Sequence, residues 1–179
     1  MLGFIKRVGR NFKRLKTLTT LYNTFVRSRL EYCSQVWSPS YQIHIERLEK
    51  AQRSFTRFMV FKNPTTNKRS CYDDRLEHFR TRSLRTRRDY LDLVLLHKLV
   101  NGGVHEGFIL ERLNFVVPKA NVRSSRITTF RPKLAKSNLG KFSALQRLQT
   151  LYNKHQKAHD LDIYSDSLPS WKRKMLVLN

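Results

Sequence analysis

The chain has 179 residues, of which 40% are hydrophobic, so it can bury the core of one domain and is not composed like a disordered tail. Its 36 lysine and arginine residues against 13 acidic residues give a net charge of +23, which opposes compaction unless the protein binds a polyanion such as nucleic acid. Its two cysteines make no disulfide framework and fit an intracellular compartment, nuclear or cytoplasmic, and no uninterrupted apolar run approaches the roughly 18 residues of a membrane-spanning helix.

The first 37 residues combine a basic start with a helical pattern. The segment MLGFIKRVGRNFKRLK is amphipathic and residues 1–30 contain no acid, so binding to an anionic membrane surface is one alternative. From Lys16 to Trp37 apolar residues recur at i, i+3, i+4 and i+7, which predicts one helix with a wide buried stripe. Cys33 falls on that stripe and is therefore expected in the core. Pro39 ends the helix.

A second helix is predicted from near Ser40 to residue 61. One side carries apolar residues, among them Ile45, Phe55 and Met59. On the other side, three cations fall within about 60° at about 100° per residue, and a fourth lies beside them. These four cations are Arg47, Lys50, Arg53 and Arg57. Such a stripe could follow a phosphate backbone, and a solvated helix face explains it equally well.

A polar loop at residues 62–70 leads into the sequence CYDD at residues 71–74. Polymerases use adjacent aspartates such as Asp73 and Asp74 to hold Mg²⁺ ions, but such a pair needs a rigid hairpin between apolar strands. Here the flanks are the polar loop and charged helical residues. We therefore interpret Asp73 as the N-cap of a helix, and we predict no catalytic residue, no metal ligand and no cofactor.

The next helical pattern runs from Arg80 to Gly103. Its first half is dense in arginine, and its second half, Tyr90 to Val100, is apolar nearly all round, as in a helix buried on most sides. Asn101, Gly102 and Gly103 supply the C-terminal stop, and a shorter helix is expected around Phe108 to Leu113. The arginines of the first half that we predict to contact nucleic acid are Arg85, Arg87 and Arg88.

No acid occurs from Arg112 to His159. The stretches NFVVP and RITTFRP are short, β-branched and bounded by proline, which predicts a small hairpin or an extended basic arm. Helical patterns follow after Gly140 and again from Trp171 to Leu178. The cations of this region that we predict to contact nucleic acid are Arg123, Arg126, Arg131, Lys133, Lys136 and Lys141.

These patterns predict a mainly α fold, a helical bundle of about five to six helices with a small extended or β-hairpin segment near residues 115–132. We expect a helical segment at residues 1–61, a linker loop at 62–70 and a second helical segment at 71–179. We expect the two helical segments to form one structural unit.

Several sequence blocks, taken in order, resemble one known family. They are similar to the segment that follows the palm in reverse transcriptases of non-LTR (LINE-type), jockey-like retrotransposons. The blocks are LGFIKR, TLYNTFVRSRLEYCSQVWSP at residues 18–39, YQIHIERLEKAQRSFTRF at 41–58, YDDRLEHFRTRSLRTRRDYLDLVLLHKLVNG at 72–102 and NLGKFSALQRLQTLYN at 138–153. The family's most recognisable block is matched by Leu30, Glu31, Tyr32, Trp37 and Pro39. A second family pattern is matched by Arg53, Phe55 and Arg57, and the family's paired arginines are matched by Arg87 and Arg88.

The resemblance implies the thumb and the region beyond it of an RNA-directed DNA polymerase. In that family such a region is a helical bundle against which the template-primer, RNA or an RNA–DNA hybrid, lies. The family's catalytic aspartates belong to a palm domain that this chain does not contain, so the resemblance implies a fragment that is inactive by itself and whose partner is the missing palm. The alternative is a basic helical module that binds an acidic protein or an anionic membrane surface without a nucleic-acid role.

Overall fold

The structure is a computed structural model that describes residues 1–63, 69–116, 128–159 and 161–176, except the side chains of residues 157, 159 and 176. The described chain is mainly helical, which confirms the predicted fold class. It contains more helices than the five to six expected, because short helices flank the long ones. Within these ranges no helix combines the length and the apolar composition needed to cross a membrane.

The chain divides into two compact units, Met1–Arg88 (unit 1) and Asp89–Asn179 (unit 2). The predicted 62–70 linker lies within unit 1. The boundary falls instead inside one helix, α7, which spans Leu84–Val100. The predicted segment boundaries stay a prediction, and the two units are treated separately below.

Unit 1 is built on one long helix, α5, preceded by several shorter ones. The helices of this unit are α1 (Leu2–Val8), α2 (Leu15–Tyr22), α3 (Ser28–Glu31), α4 (Ser34–Trp37), α5 (Gln42–Lys62) and α6 (Tyr72–His78). A 3₁₀ turn at Gly9–Asn11 follows α1, and a π-helical turn at Asn23–Arg27 joins α2 to α3.

The single helix predicted from Lys16 to Trp37 is wrong, because the chain breaks at Cys33. This residue adopts a left-handed conformation with φ of 50° and is exposed rather than in the core. The indole Nε1 of Trp37 donates to the carbonyl oxygen of Tyr32 at 2.6 Å and closes the turn. The π-helical turn interrupts the regular helical spacing, and Phe25 within it is 50% exposed.

The core of unit 1 lies between α1, α2 and the apolar side of α5, as predicted for that side. Tyr22 and Phe55 stack with ring centroids 4.0 Å apart and planes 6° from parallel. The buried members of this core are Ile5, Leu18, Tyr22, Val26, Phe55 and Met59.

Two polar side chains of α5 are buried and hydrogen-bonded. Gln52 accepts from the Tyr22 hydroxyl at 3.3 Å and donates to the carbonyl oxygen of Arg82 at 2.7 Å. The Glu49 carboxylate accepts from the Leu84 amide at 3.0 Å and from the Tyr72 hydroxyl. These bonds fix α5 to α6 and to the start of α7.

The N-cap of α6 is Cys71, not Asp73 as predicted. The Cys71 sulfur accepts from the Asp74 amide at 3.3 Å, and the Asp74 carboxylate accepts from the Cys71 amide at 3.0 Å, which makes a reciprocal capping box. Asp73 lies in the first helical turn, where its charge suits the positive end of the helix dipole.

The core of unit 2 surrounds buried Trp171. The helices of this unit are the C-terminal part of α7, α8 (Gly107–Leu110), α9 (Asn138–Lys141), α10 (Ala144–His159) and α11 (Leu168–Leu176). The helical members of the core come from α7, α10 and α11. Trp171 stacks on Tyr152 with centroids 5.8 Å apart, and Leu93, Leu96 and Leu148 complete the surrounding core. Gly102, with φ of 70°, ends α7 as the sequence predicted.

The two ends of the predicted hairpin meet in an antiparallel bridge between Phe115 and Phe130. Residues 117–127 of that segment lie outside the described ranges. Asn153 on α10 both accepts from the Phe130 amide at 3.2 Å and donates to the Phe130 carbonyl oxygen at 2.7 Å. Gln149 and Gln156 on the same helix accept from the amides of residues 114 and 129, each at 3.3 Å. One face of α10 therefore supplies hydrogen bonds that a neighbouring strand would otherwise make.

Candidate nucleic-acid interface

The four predicted cations of α5 form a row on its solvent side, which we call the α5 rail. Arg47, Lys50, Arg53 and Arg57 are all exposed, whereas the opposite side of the same helix is buried in the core. None of the four forms an ion pair with an acidic residue that the structure describes. The helix thus presents fixed positive charge that is not neutralised from within.

Three adjoining hollows follow this side of unit 1. The rail groove is lined by Ile43, Glu46, Arg47, Lys50, Arg53, Ser54 and Arg57. The arginine hollow is lined by Arg57, Val60, Phe61, Arg69, Ser70 and Arg75. The α1 hollow is lined by Lys6, Arg7, Arg10, Phe58, Phe61 and Lys62.

The three hollows lie next to one another, because neighbouring hollows share a lining side chain. Arg57 lines both the rail groove and the arginine hollow, and Phe61 lines both the arginine hollow and the α1 hollow. Among all their described lining residues Glu46 is the one acid, and it accepts a hydrogen bond from Gln42 at 3.1 Å. The result is one contiguous electropositive surface, which suits an extended polyanion.

Arg75 is held in place beneath this surface. It is 7% exposed, its Nε donates to the Thr56 hydroxyl at 3.3 Å, and its Nη1 donates to the carbonyl oxygen of Ser70 at 2.7 Å. The Tyr72 ring lies against two guanidinium groups, with its centroid 5.7 Å from Arg75 and 5.1 Å from Arg53. Burial, followed by the hydrogen bond to Glu49, raises the pKa of Tyr72, so the ring stays neutral beside these cations.

The cations of α1 join the same surface, although sequence reasoning did not select them. Lys6 Nζ donates to the Ser54 hydroxyl at 2.6 Å, which places α1 beside the rail. Lys62 Nζ, in turn, donates to the carbonyl oxygens of Gly9, of Arg10 at 2.8 Å and of Phe12 at 2.7 Å. The sequence feature that could have indicated these cations is the absence of acidic residues from the first 30 positions.

Two of the three arginines predicted on α7 are not free surface cations. Arg88 is 1% exposed, so it cannot reach a phosphate backbone. Arg87 binds both carboxylate oxygens of Glu31 through Nε and, at 2.9 Å, through Nη2. We therefore correct the predicted set by removing Arg87 and Arg88, while exposed Arg85 remains.

In unit 2 the predicted cations lie on and after the extended segment. Arg131, Lys133, Lys136 and Lys141 are exposed, and the ammonium of Lys141 lies 5.7 Å from the Phe142 ring centroid. Arg123 and Arg126 fall outside the described ranges.

The adjacent aspartates at 73 and 74 belong to the first turn of α6. Hydrogen bonds from Cys71 hold the pKa of Asp74 below its usual value. In the part of the chain that the structure describes, no three His, Cys, Asp or Glu side chains are grouped closely enough to hold a metal ion.

No protein-family model, curated protein or solved structure matches this chain.

Proposed function

We propose that the chain binds the backbone of nucleic acid, RNA or an RNA–DNA hybrid, along the α5 rail, and that it does no bond chemistry by itself. The observation that supports this most strongly is the contiguous cationic surface, whose described lining residues include a single acid. A surface made only for solubility usually mixes charges of both signs.

The rail has dimensions that suit one strand. From Arg47 to Arg57 the helix rises about 15 Å, which equals roughly four base steps of one strand at about 3.4 Å each. Phosphate contacts of this kind fix the position of a duplex without reading its sequence. Because α5 is anchored by core packing on its opposite side, the cations keep their spacing when they bind.

We also propose that the chain is the thumb and post-palm region of a non-LTR retrotransposon reverse transcriptase. The support is the ordered set of sequence blocks, and a mainly α fold agrees with it. The missing palm domain would then be the partner that supplies catalysis, and the fragment would hold template-primer for it.

Binding to a labelled RNA–DNA hybrid across a salt series tests the proposal. If all four rail cations contact phosphates, the logarithm of the affinity should fall against the logarithm of salt with a slope of about −3.6 or steeper. Vesicles with anionic lipid serve as the competing ligand. Weak hybrid binding together with tight vesicle binding would refute the proposal in favour of a membrane-surface module.

Primer extension tests the catalytic part. We expect no extension with Mg²⁺ or Mn²⁺, either by the parent chain or by the Asp73→Ala/Asp74→Ala variant, since Asp74 serves as a helix cap. Extension by the parent chain that the double variant abolishes would show that the aspartates are catalytic.

A further inference from the structure

Phe61 lies on the wrong side of α5 for a core residue. Its side chain is 77% exposed, whereas Phe55 and Met59 on the same helix are buried. It follows Arg57 by four residues and so continues the row of the α5 rail, in which the other positions are cationic. Core packing does not explain an aromatic ring at this point of a charged row.

The arginine hollow beside Phe61 suits a phosphate group. Three guanidinium groups, from Arg57, Arg69 and Arg75, line it without an acidic lining residue among the described ones. Arg75 is held there by two hydrogen bonds, and the Ser70 hydroxyl oxygen is buried and has no hydrogen-bond partner in the described structure. Arginine is suited to phosphate because its planar N–H groups bind two oxygens at once.

The ring of Phe61 joins this hollow to the α1 hollow, so cations lie on both sides of it. An exposed aromatic ring within a positive groove is the arrangement by which proteins stack the bases of single strands while holding their phosphates. Bases within a duplex already stack on both faces with their neighbours. The ring can therefore stack only on a base that is unpaired or terminal.

We propose that Phe61 and the arginine hollow bind one unpaired nucleotide, its base on the Phe61 ring and its phosphate among Arg57, Arg69 and Arg75. This inference rests on the proposed nucleic-acid function and makes it more specific. The chain would prefer a duplex with a single-stranded overhang to a blunt one.

Fluorescence anisotropy with the full chain tests this on three RNA–DNA hybrids of one sequence: blunt, with a short overhang, and with an abasic overhang that keeps the phosphates. We expect the overhang hybrid to bind about fivefold tighter, or more, than the abasic one. Phe61→Ala should remove this difference, so that the variant binds the overhang hybrid and the abasic hybrid equally. Phe25→Ala is the matched control, since Phe25 is also an exposed phenylalanine of unit 1 and lines none of the three hollows.

Equal binding of the overhang and abasic hybrids by the parent chain would overturn the inference. A Phe61→Ala variant that still prefers the overhang hybrid to the abasic one would also overturn it. Loss of affinity for anionic vesicles in such a variant would point to a membrane-binding role of Phe61 instead. If none of the three hybrids binds, the proposed duplex-binding function is refuted, but the inference about Phe61 is not. Base-bearing and abasic single strands then still test Phe61 separately.

Discussion

The two units are both basic, but they carry their cations on different kinds of backbone. Unit 1 has 21 cationic and 6 acidic residues, and unit 2 has 15 and 7. In unit 1 the exposed row lies on α5, a 21-residue helix whose other side is core. In unit 2 the exposed cations from Arg131 to Lys141 lie mostly on an extended segment that α10 holds through amide side chains. Of these two sets of described cations, the one on α5 has a regular helical spacing.

The units also differ in how they use their acids. In unit 1 Glu31 binds Arg87, and buried Glu49 accepts from the Tyr72 hydroxyl. Asp74 caps α6. These three acids therefore do not pair with the cations of the α5 rail. In unit 2 two acids pair with cations of α10 and α11. Buried Asp92 binds Arg147 at 2.8 Å, and Asp166 binds Lys174 at 2.8 Å. The comparison teaches that net charge alone does not make a binding surface, because the placement of the acids decides which cations remain available.

The largest expected effect concerns whether the two units are energetically separate. Trp171 is fully buried, so Trp171→Ala should destabilise unit 2 by about 3–5 kcal/mol. The variant keeps Trp37 as its single tryptophan, and Trp37 lies in unit 1. In urea unfolding we expect circular dichroism to show an early loss of helix while Trp37 fluorescence keeps the parent midpoint.

The matched control is Trp37→Phe, which removes a tryptophan that is 41% exposed. It should cost only about 1 kcal/mol, mainly through the lost hydrogen bond to Tyr32. If the Trp37 signal in Trp171→Ala shifts together with the helix signal, the units unfold as one and the comparison between them must be abandoned.

The second prediction concerns binding. Replacing all four rail cations by glutamine should lower affinity for an RNA–DNA hybrid about a hundredfold at physiological salt and reduce the salt slope by about 3.6. The same change at Arg131, Lys133, Lys136 and Lys141 is the matched control, since it also removes four exposed cations. We expect the control to lose less than half as much of the slope. Equal losses would mean that the number of charges, and not the helix that carries them, determines binding.

The third prediction concerns alkaline pH. Burial raises the pKa of Tyr22 in unit 1 and of Tyr152 in unit 2 above the usual value of about 10. Above pH 10 the unfolded chain releases these protons and the folded chain keeps them, so stability is fully present below pH 10 and falls as pH rises. Each tyrosine contributes a slope of about 1.4 kcal/mol per pH unit until its raised pKa is reached.

Urea unfolding of Tyr22→Phe and Tyr152→Phe across alkaline pH checks this. In each variant the free energy of unfolding should fall less steeply with pH than in the parent chain. It should also be lower by a constant amount at all pH values, because the hydrogen bonds of the hydroxyl are lost. If the units unfold independently, the double variant should show each change only in the unfolding transition of its own unit. A slope unchanged in both variants would show that these hydroxyls do not set the alkaline limit.

The sequence predicted what depends on helical periodicity and missed what depends on tertiary neighbours. The α5 pattern predicted both its core side and its exposed cations, because one helix of 3.6 residues per turn determines both. Arginine is usually exposed, so nothing in the local pattern predicted that Arg88 is buried or that Arg87 binds Glu31. Arg75 and Lys6 joined the surface because α6 and α1 pack beside α5, and such contacts between distant segments leave no trace in periodicity.

Local irregularities were the second source of error. The break at Cys33 requires a left-handed residue, for which glycine or asparagine is the usual signal, and a cysteine there gave none. The N-cap of α6 was placed two residues late because Asp is a common cap and Cys is not. The Cys71 sulfur nevertheless accepts the hydrogen bond, and the second aspartate completes the cap.

The smallest expected effect concerns the hydrogen bonds that hold the cationic segment of each unit in place. Lys62 donates to three carbonyl oxygens around the turn after α1, whereas Asn153 holds Phe130 by two neutral hydrogen bonds. Lys62→Met and Asn153→Ala should each cost about 1–2 kcal/mol in urea unfolding. Added salt should shrink the cost of Lys62→Met, because a partly exposed charge is screened, and leave that of Asn153→Ala unchanged. Equal salt sensitivity of the two variants would mean that the Lys62 ammonium stabilises the turn only as a hydrogen-bond donor and that its charge contributes nothing measurable.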